Sequence, residues 1–241
     1  MKLMRKLYNA AKLFLSSPEE FKKHLFKNFG GSASIFFLYI FFLFRKNFLF
    51  KNKKRLFIDC GSNLGQGFSF FKQIFPLSNY DYLLIEPNYN CTKELKKKFN
   101  SFKNIKIINA AVWIEDGMVD LYGLNESNNI HTDGASIIDN HNSNYYKVKR
   151  NKAIQVESLD FSSLLREYSS YEEIIVKMDI ESSEYEVLDK LILDKTIDLI
   201  DTLFVEFHSY SFSGDKRDKY ADKEQEYLKI LPKHTRFIEW Y

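Results

Sequence analysis

Two cysteines in 241 residues, Cys60 and Cys91, leave no disulfide framework and fit a reducing cytoplasm. A surplus of one charge is missing too. Thirty-five basic residues stand against 32 acidic ones, a net charge of +3, which argues against a nucleic-acid partner. The uncharged run Ser32–Phe44 has only thirteen residues, whereas a bilayer crossing takes about 20. It also starts too late, and lacks the small-residue site, for a cleaved signal. Its readings are a helix packed on the domain, a homodimer contact, or a shallow seat on a membrane surface. The expected place is the cytoplasm, at the inner face of the membrane if 32–44 meets lipid. There is no linker composition and no internal repeat.

Apolar residues make up 45% of the chain, enough for a normal core. Phe and Tyr are numerous, at 23 and 15, but are not read as a stacking surface. Residues 1–15 are amphipathic, and Ser17-Pro18-Glu19-Glu20 has the form of a helix start. The expected organisation is therefore an N-terminal helical appendage over 1–52 and an α/β domain over 53–241.

The apolar runs Leu56–Cys60, Tyr82–Glu86, Ile105–Val112, Ile174–Ile180 and Leu199–Phe207 read as strands buried on both faces. Helical segments are expected at Phe68–Phe75, Tyr89–Phe99, Leu159–Tyr168 and Ser183–Leu193. This alternation predicts a doubly wound, mostly parallel sheet. The gap of about sixty residues between the third and fourth strands holds Met118–Tyr122 and Ile154–Val156 as short extra strands. It also holds the polar stretches Asn125–Thr132 and Asp139–Tyr145, placed to form a substrate lid or a plain surface loop.

The first run ends in Asp59 and is followed by glycines at 61, 65 and 67. A strand, a tight glycine turn and a helix make a nucleoside-cofactor site, and Glu86 at the end of the second run can accept both ribose hydroxyls. The spacing Gly-x-x-x-Gly-x-Gly differs from the Gly-x-Gly-x-x-Gly of nicotinamide enzymes. It suggests S-adenosylmethionine, which has no phosphate to grip. The strand ends carry Asp59, Glu86, Asn109, Asp179 and Glu206, a row that suits a cationic, polyhydroxyl ligand.

Five motifs follow in order: Asp-Cys-Gly-Ser-Asn-Leu-Gly-Gln-Gly (59–67), Ile-Glu-Pro-Asn (85–88), Asn-Ala-Ala-Val (109–112), Lys-Met-Asp-Ile-Glu (177–181) with Glu184 and Leu188, and Val-Glu-Phe-His (205–208). In these the chain resembles the FkbM family of S-adenosylmethionine-dependent methyltransferases. The resemblance spans 55–210. It implies a class I, Rossmann-like methyltransferase fold and O-methylation of hydroxyls, often on sugars of surface polysaccharides such as capsule. Carried onto this chain, the cofactor residues are Asp59, Gly61, Asn63, Gly65, Glu86, Pro87, Asn109, Ala110 and Asp179. His208 is the candidate base, oriented by Glu206, and Asp179 stands beside it. The acceptor side is given to Glu181, His131 and Tyr210, with His141 a weaker candidate.

Two features depart from the family. Glu181-Ser182-Ser183-Glu184 replaces Glu-Gly-Ala-Glu, and a serine fits there only if the backbone avoids positive φ. After the fifth run only one strand, Arg236–Tyr241, is apparent where an antiparallel pair is expected. No metal is assigned, although Asp179, Glu206 and His208 form an oxygen-and-imidazole set suited to Mg²⁺ or Mn²⁺. The alternatives are N-methylation of a small molecule and a non-catalytic cofactor-binding protein. A nucleic-acid methyltransferase and a nicotinamide oxidoreductase are disfavoured by charge, motif and glycine spacing.

Overall fold

The computed structural model describes residues 54–126, 134–142 and 147–240. The expected appendage over 1–52, the 32–44 run and His131 lie outside the described residues. Strands β1 (Arg55–Cys60), β2 (Asp81–Ile85) and β3 (Ile105–Ile108) alternate with helices α1 (Gln66–Ile74) and α2 (Tyr89–Phe99). Three short strands follow, β4 (Ala111–Trp113), β5 (Gly117–Leu121) and β6 (Ile154–Asp160). The chain then runs through α3 (Phe161–Glu167), β7 (Glu173–Met178), α4 (Glu184–Leu193), β8 (Thr202–Val205), α5 (Asp215–Ile230) and β9 (Arg236–Glu239).

The main sheet has the order β3-β2-β1-β7-β8-β9, and every neighbouring pair is parallel. Its inner strands need apolar side chains on both faces, and β1 and β7 are buried along their whole length. On one face Phe57 meets Phe71 of α1 at 5.0 Å and Tyr82 of β2 at 5.2 Å, ring to ring. The other packs Ile58, Leu83 and Val176 with Leu188 and Leu191 of α4. Burying a side chain of this size is worth about 1.5–3 kcal/mol.

Strand order reverses between β1 and β7, and such a reversal opens a crevice at the carboxyl edge. Register makes the crevice useful. Cys60 pairs with Ile85 and with Met178, and Met178 pairs with Val205. The residues that come next, Gly61, Glu86, Asp179 and Glu206, therefore leave the sheet side by side.

Several expected elements take other forms. The run 105–112 is two strands, because Asn109 and Ala110 break it and β4 joins a second sheet, β4-β6-β5. β6 continues through Leu159 to Asp160, whose carboxylate then caps α3 by accepting from Ser163 N. The fifth run pairs only over Thr202–Val205. α5 was not expected, since Tyr220 and Tyr227 are its only buried side chains and give no periodic signal. The last strand, β9, pairs parallel with β8, so among the described residues the main sheet has no antiparallel member.

Gly61 is the tightest point of the switch. It sits at φ 75°, and a methyl group there would lie 1.8 Å from the Asp179 carbonyl oxygen. Gly214 is also left-handed (φ 57°), but its methyl would meet nothing within 4 Å. Gly61→Ala should cost about 2–4 kcal/mol of unfolding free energy, against about 1 kcal/mol for Gly214→Ala. Urea unfolding compares the two, and equal shifts would refute the close-approach account.

Candidate active site

A cavity of about 320 Å³ opens at the carboxyl edge, over the reversal. Gly61, Ser62, Asn63 and Gln66 form one wall, and Glu86, Pro87, Val112 and Leu121 form another. Lys177, Asp179, Glu181, Glu206, His208 and Tyr210 close the far end, where Ala135 and Ile137 of the insertion join them. Of the residues expected in the site, Gly61, Asn63, Glu86, Pro87, Asp179, Glu181, Glu206, His208 and Tyr210 line this cavity.

Asp59, Gly65, Asn109 and Ala110, also expected at the cofactor, do not line it. Asp59 is fully buried below the loop and faces the ammonium of Lys177 at 3.4 Å. Gly65, left-handed at φ 86°, starts α1 and packs toward Leu95 and Phe99. Asn109 donates from Nδ2 to the carbonyls of Glu86 and Pro87 and to Thr92 Oγ1. It therefore fixes the turn that carries Glu86. Ala110 is buried where the chain passes between the sheets.

Glu86 is nearly buried, and its two oxygens accept from the backbone N–H groups of Asn63 and Asn88, both at 2.9 Å. Burial pushes its carboxyl up to about 7, although both hydrogen bonds pull the other way. Lys177, buried in β7, donates to Gly61 O at 3.1 Å and pairs with Asp179 at 3.0 Å as well as Asp59. Burial alone would push its ammonium down, yet the two aspartates outweigh this and hold it well above its usual range. Lys177 received no role from the sequence. The available signal was a cation at the centre of an otherwise apolar strand, which burial forbids unless it is paired.

His208 is 2% exposed. Its Nδ1 lies 2.9 Å from Glu184 Oε1, and the same oxygen accepts from Ile180 N at 2.9 Å. Glu184, fully buried in the first turn of α4, is therefore the orienting residue in place of Glu206. Its signal was an acid at a helix start that borders a site. The backbone N–H of His208 is held by Tyr185 Oη, which donates to Glu224 of α5. Imidazole Nε2 faces Glu181 at 3.5 Å, Asp179 at 3.7 Å and Glu206 at 3.9 Å. Burial would lower this imidazole, but Glu184, Glu181 and Asp179 together push it up to about 10. An imidazole so placed starts out protonated at neutral pH, whereas the part expected of it from the sequence is that of a neutral base. Burial likewise drives Glu181 up to about 8 and raises Glu206.

Glu181 and Ser182 both take left-handed backbone, at φ 54° and 79°. Serine thus occupies the very conformation that favours glycine. In compensation its buried hydroxyl bonds His141 Nδ1 at 2.8 Å. Ser136 Oγ donates to Glu181 O at 2.5 Å. The polar insertion is tied to the reactive loop by these two bonds.

A family model described as "Methyltransferase FkbM domain" matches residues 59–236. The crystal structure of methyltransferase FkbM from Methylobacillus flagellatus KT is similar at 14% identity with a TM-score of 0.46. The match covers 96% of this chain and 53% of that one, so this chain spans about half the length of the protein it resembles. No curated protein matches the chain.

Glu184→Ala removes a carboxylate that serves two buried donors. It should destabilise the protein by about 3 kcal/mol, read from the shift of the denaturation midpoint at constant slope. A shift below about 0.5 kcal/mol would remove Glu184 from its orienting role.

Proposed function

The chain belongs to the FkbM methyltransferase family, and from that premise we propose that it moves a methyl group from S-adenosylmethionine to a hydroxyl of a small, sugar-like acceptor in surface-polysaccharide synthesis. The observation that carries this reading is the level row Glu86, Gly61, Asp179 and Glu206 around one cavity at the strand reversal. The residues present suit the donor. Glu86 offers a buried carboxylate to a ribose, and Pro87, Val112 and Leu121 offer an apolar wall to an adenine. Asp179 offers an oxygen to the ammonium group, and Gly61 leaves room for a ligand to lie along the backbone.

When bound, S-adenosylmethionine supplies a methyl group on a sulfonium that departs as a neutral thioether. The acceptor oxygen attacks the methyl carbon and its proton needs a base. Asp179 is paired with Lys177, and Glu181 faces two histidines. Glu206 lines the cavity with a carboxylate that no described residue hydrogen-bonds, and His208 Nε2 stands 3.9 Å from it. Glu206 takes the proton in this reading, His208 and Asp179 shape the field around it, and Tyr210 and Glu181 face the acceptor. A polyhydroxyl acceptor matches the several carboxylates of this wall. An amine is the second reading, favoured by the same negative charge. Among the described residues no helix is long and apolar enough to cross a membrane. Activity in the cytoplasm, with or without contact to the inner membrane face, belongs to this proposal.

Three outcomes test it. Glu86→Ala should weaken S-adenosylhomocysteine binding by about 10- to 150-fold in calorimetry, the loss of one charge-assisted bond. For the intact protein that affinity should hold steady above pH 7 and fall below it, because Glu86 gains a proton there and stops accepting from both hydroxyls. Glu86→Gln should abolish the pH dependence. Glu206→Gln should lower kcat by about 10²–10⁴ with S-adenosylhomocysteine affinity unchanged, measured with nucleotide sugars and the mass gain of one methylene. Binding of a dinucleotide in place of S-adenosylhomocysteine would overturn the whole reading.

A further inference from the structure

The far end of the cavity gathers more carboxyl groups than methyl transfer alone explains. Asp179, Glu181 and Glu206 converge there with Lys177 and His208 beside them, and Glu184 lies behind His208. We propose that Asp179, Glu181 and His208 form a site for a divalent cation of the Mg²⁺/Mn²⁺ class. The site itself does not depend on the identity of the methyl donor; its use in catalysis rests on the methyltransferase reading above.

Three observations carry it. The candidate ligand atoms of these three residues all lie within 4.8 Å of one another. Ligands about 2.1–2.2 Å from one ion stand roughly 3 Å apart in adjacent positions and roughly 4.3 Å apart when opposite. The distances from His208 Nε2 to Glu181 and Asp179, 3.5 and 3.7 Å, fall between those limits.

Second, the imidazole is built as a ligand. His208 is 2% exposed and Nε2 points into the cluster without a hydrogen bond from any described residue. Its other nitrogen is fixed by Glu184, which makes no contribution to the cavity lining. A carboxylate holding the far nitrogen of a histidine is the arrangement that orients metal-bound imidazoles and fixes their tautomer.

Third, Glu181 reaches the cluster from two successive left-handed residues, a costly backbone that aims its carboxylate inward. This makes Glu181 the third ligand in place of Glu206, which lies farther from Nε2 at 3.9 Å and stays available as the base. Two oxygens and one nitrogen suit Mn²⁺ somewhat better than Mg²⁺. Such an ion would acidify an acceptor hydroxyl beside Glu206.

The test uses Mn²⁺ alone with the full chain. Loss of the free-ion signal in electron paramagnetic resonance should give one ion per chain, and pulsed measurements should show coupling to an imidazole nitrogen. Glu181→Gln, at a partly exposed position, should weaken binding at least about tenfold. Glu184→Gln should weaken it about 10- to 100-fold and disturb the nitrogen coupling, which a merely structural residue would not. Failure to bind, binding without nitrogen coupling, or binding indifferent to Glu181→Gln each overturns the proposal. In the first case protonated His208 is the counter-charge of the cluster. Calorimetry with S-adenosylhomocysteine is run separately in EDTA. A chain that binds it but not Mn²⁺ loses only the metal site, and the converse loses only the donor.

Discussion

The contact between the turn after β1 and the end of β7 governs this site. At the point where strand order reverses, the Asp179 carbonyl lies where a side chain at residue 61 would begin. Only glycine allows the two loops to approach so closely. Across this contact Lys177 reaches from β7 to the Gly61 carbonyl, while strand register sets it level with Asp59, its counter-ion on β1. The loop wall, the buried lysine and the acid row are therefore one assembly, and the parallel register brings its parts level.

Around this contact the protein separates two kinds of charge. Below the loop, buried Asp59 faces Lys177, whose ammonium also meets Asp179 at the cavity, and this pairing is the condition for burying either. Above it the acids of β7, β8 and α4 remain in excess around one imidazole. That excess sets the chemistry. It keeps His208 protonated unless some other cation takes the proton's place, and it leaves Glu206 as the carboxylate with the fewest partners.

Much of this was legible in the sequence. The buried runs, the glycine turn and the place of Glu86 beside the cavity were legible because each depends on local pattern, and an unbroken apolar strand admits few other placements. Roles that depend on distant partners did not. Asp59 ends an apolar run in the sequence just as Glu86 does, yet register sets Asp59 opposite Leu84 inside the sheet, facing Lys177, while Glu86 follows the last paired residue and lines the cavity. Asn109 turned out to brace the turn, since its partners at 86, 87 and 92 become neighbours only once β2 and β3 pair. Glu184 as the support of His208 needed the packing of α4 against the end of β8. The left-handed backbone at Ser182 was hidden because a serine there argued for the opposite. α5 escaped notice for lack of an apolar stripe, although its Glu224 underpins the histidine through Tyr185.

The insertion meets the reactive loop through Ser136 and His141, and Ala135 and Ile137 present themselves to the same end of the cavity. The opposite end is made by the first three strands and their turns. One cavity is thus bounded at its two ends by different parts of the chain. Drift in the 134–142 segment can recast what is admitted at one mouth of the chamber while the grip at the other stays as it was.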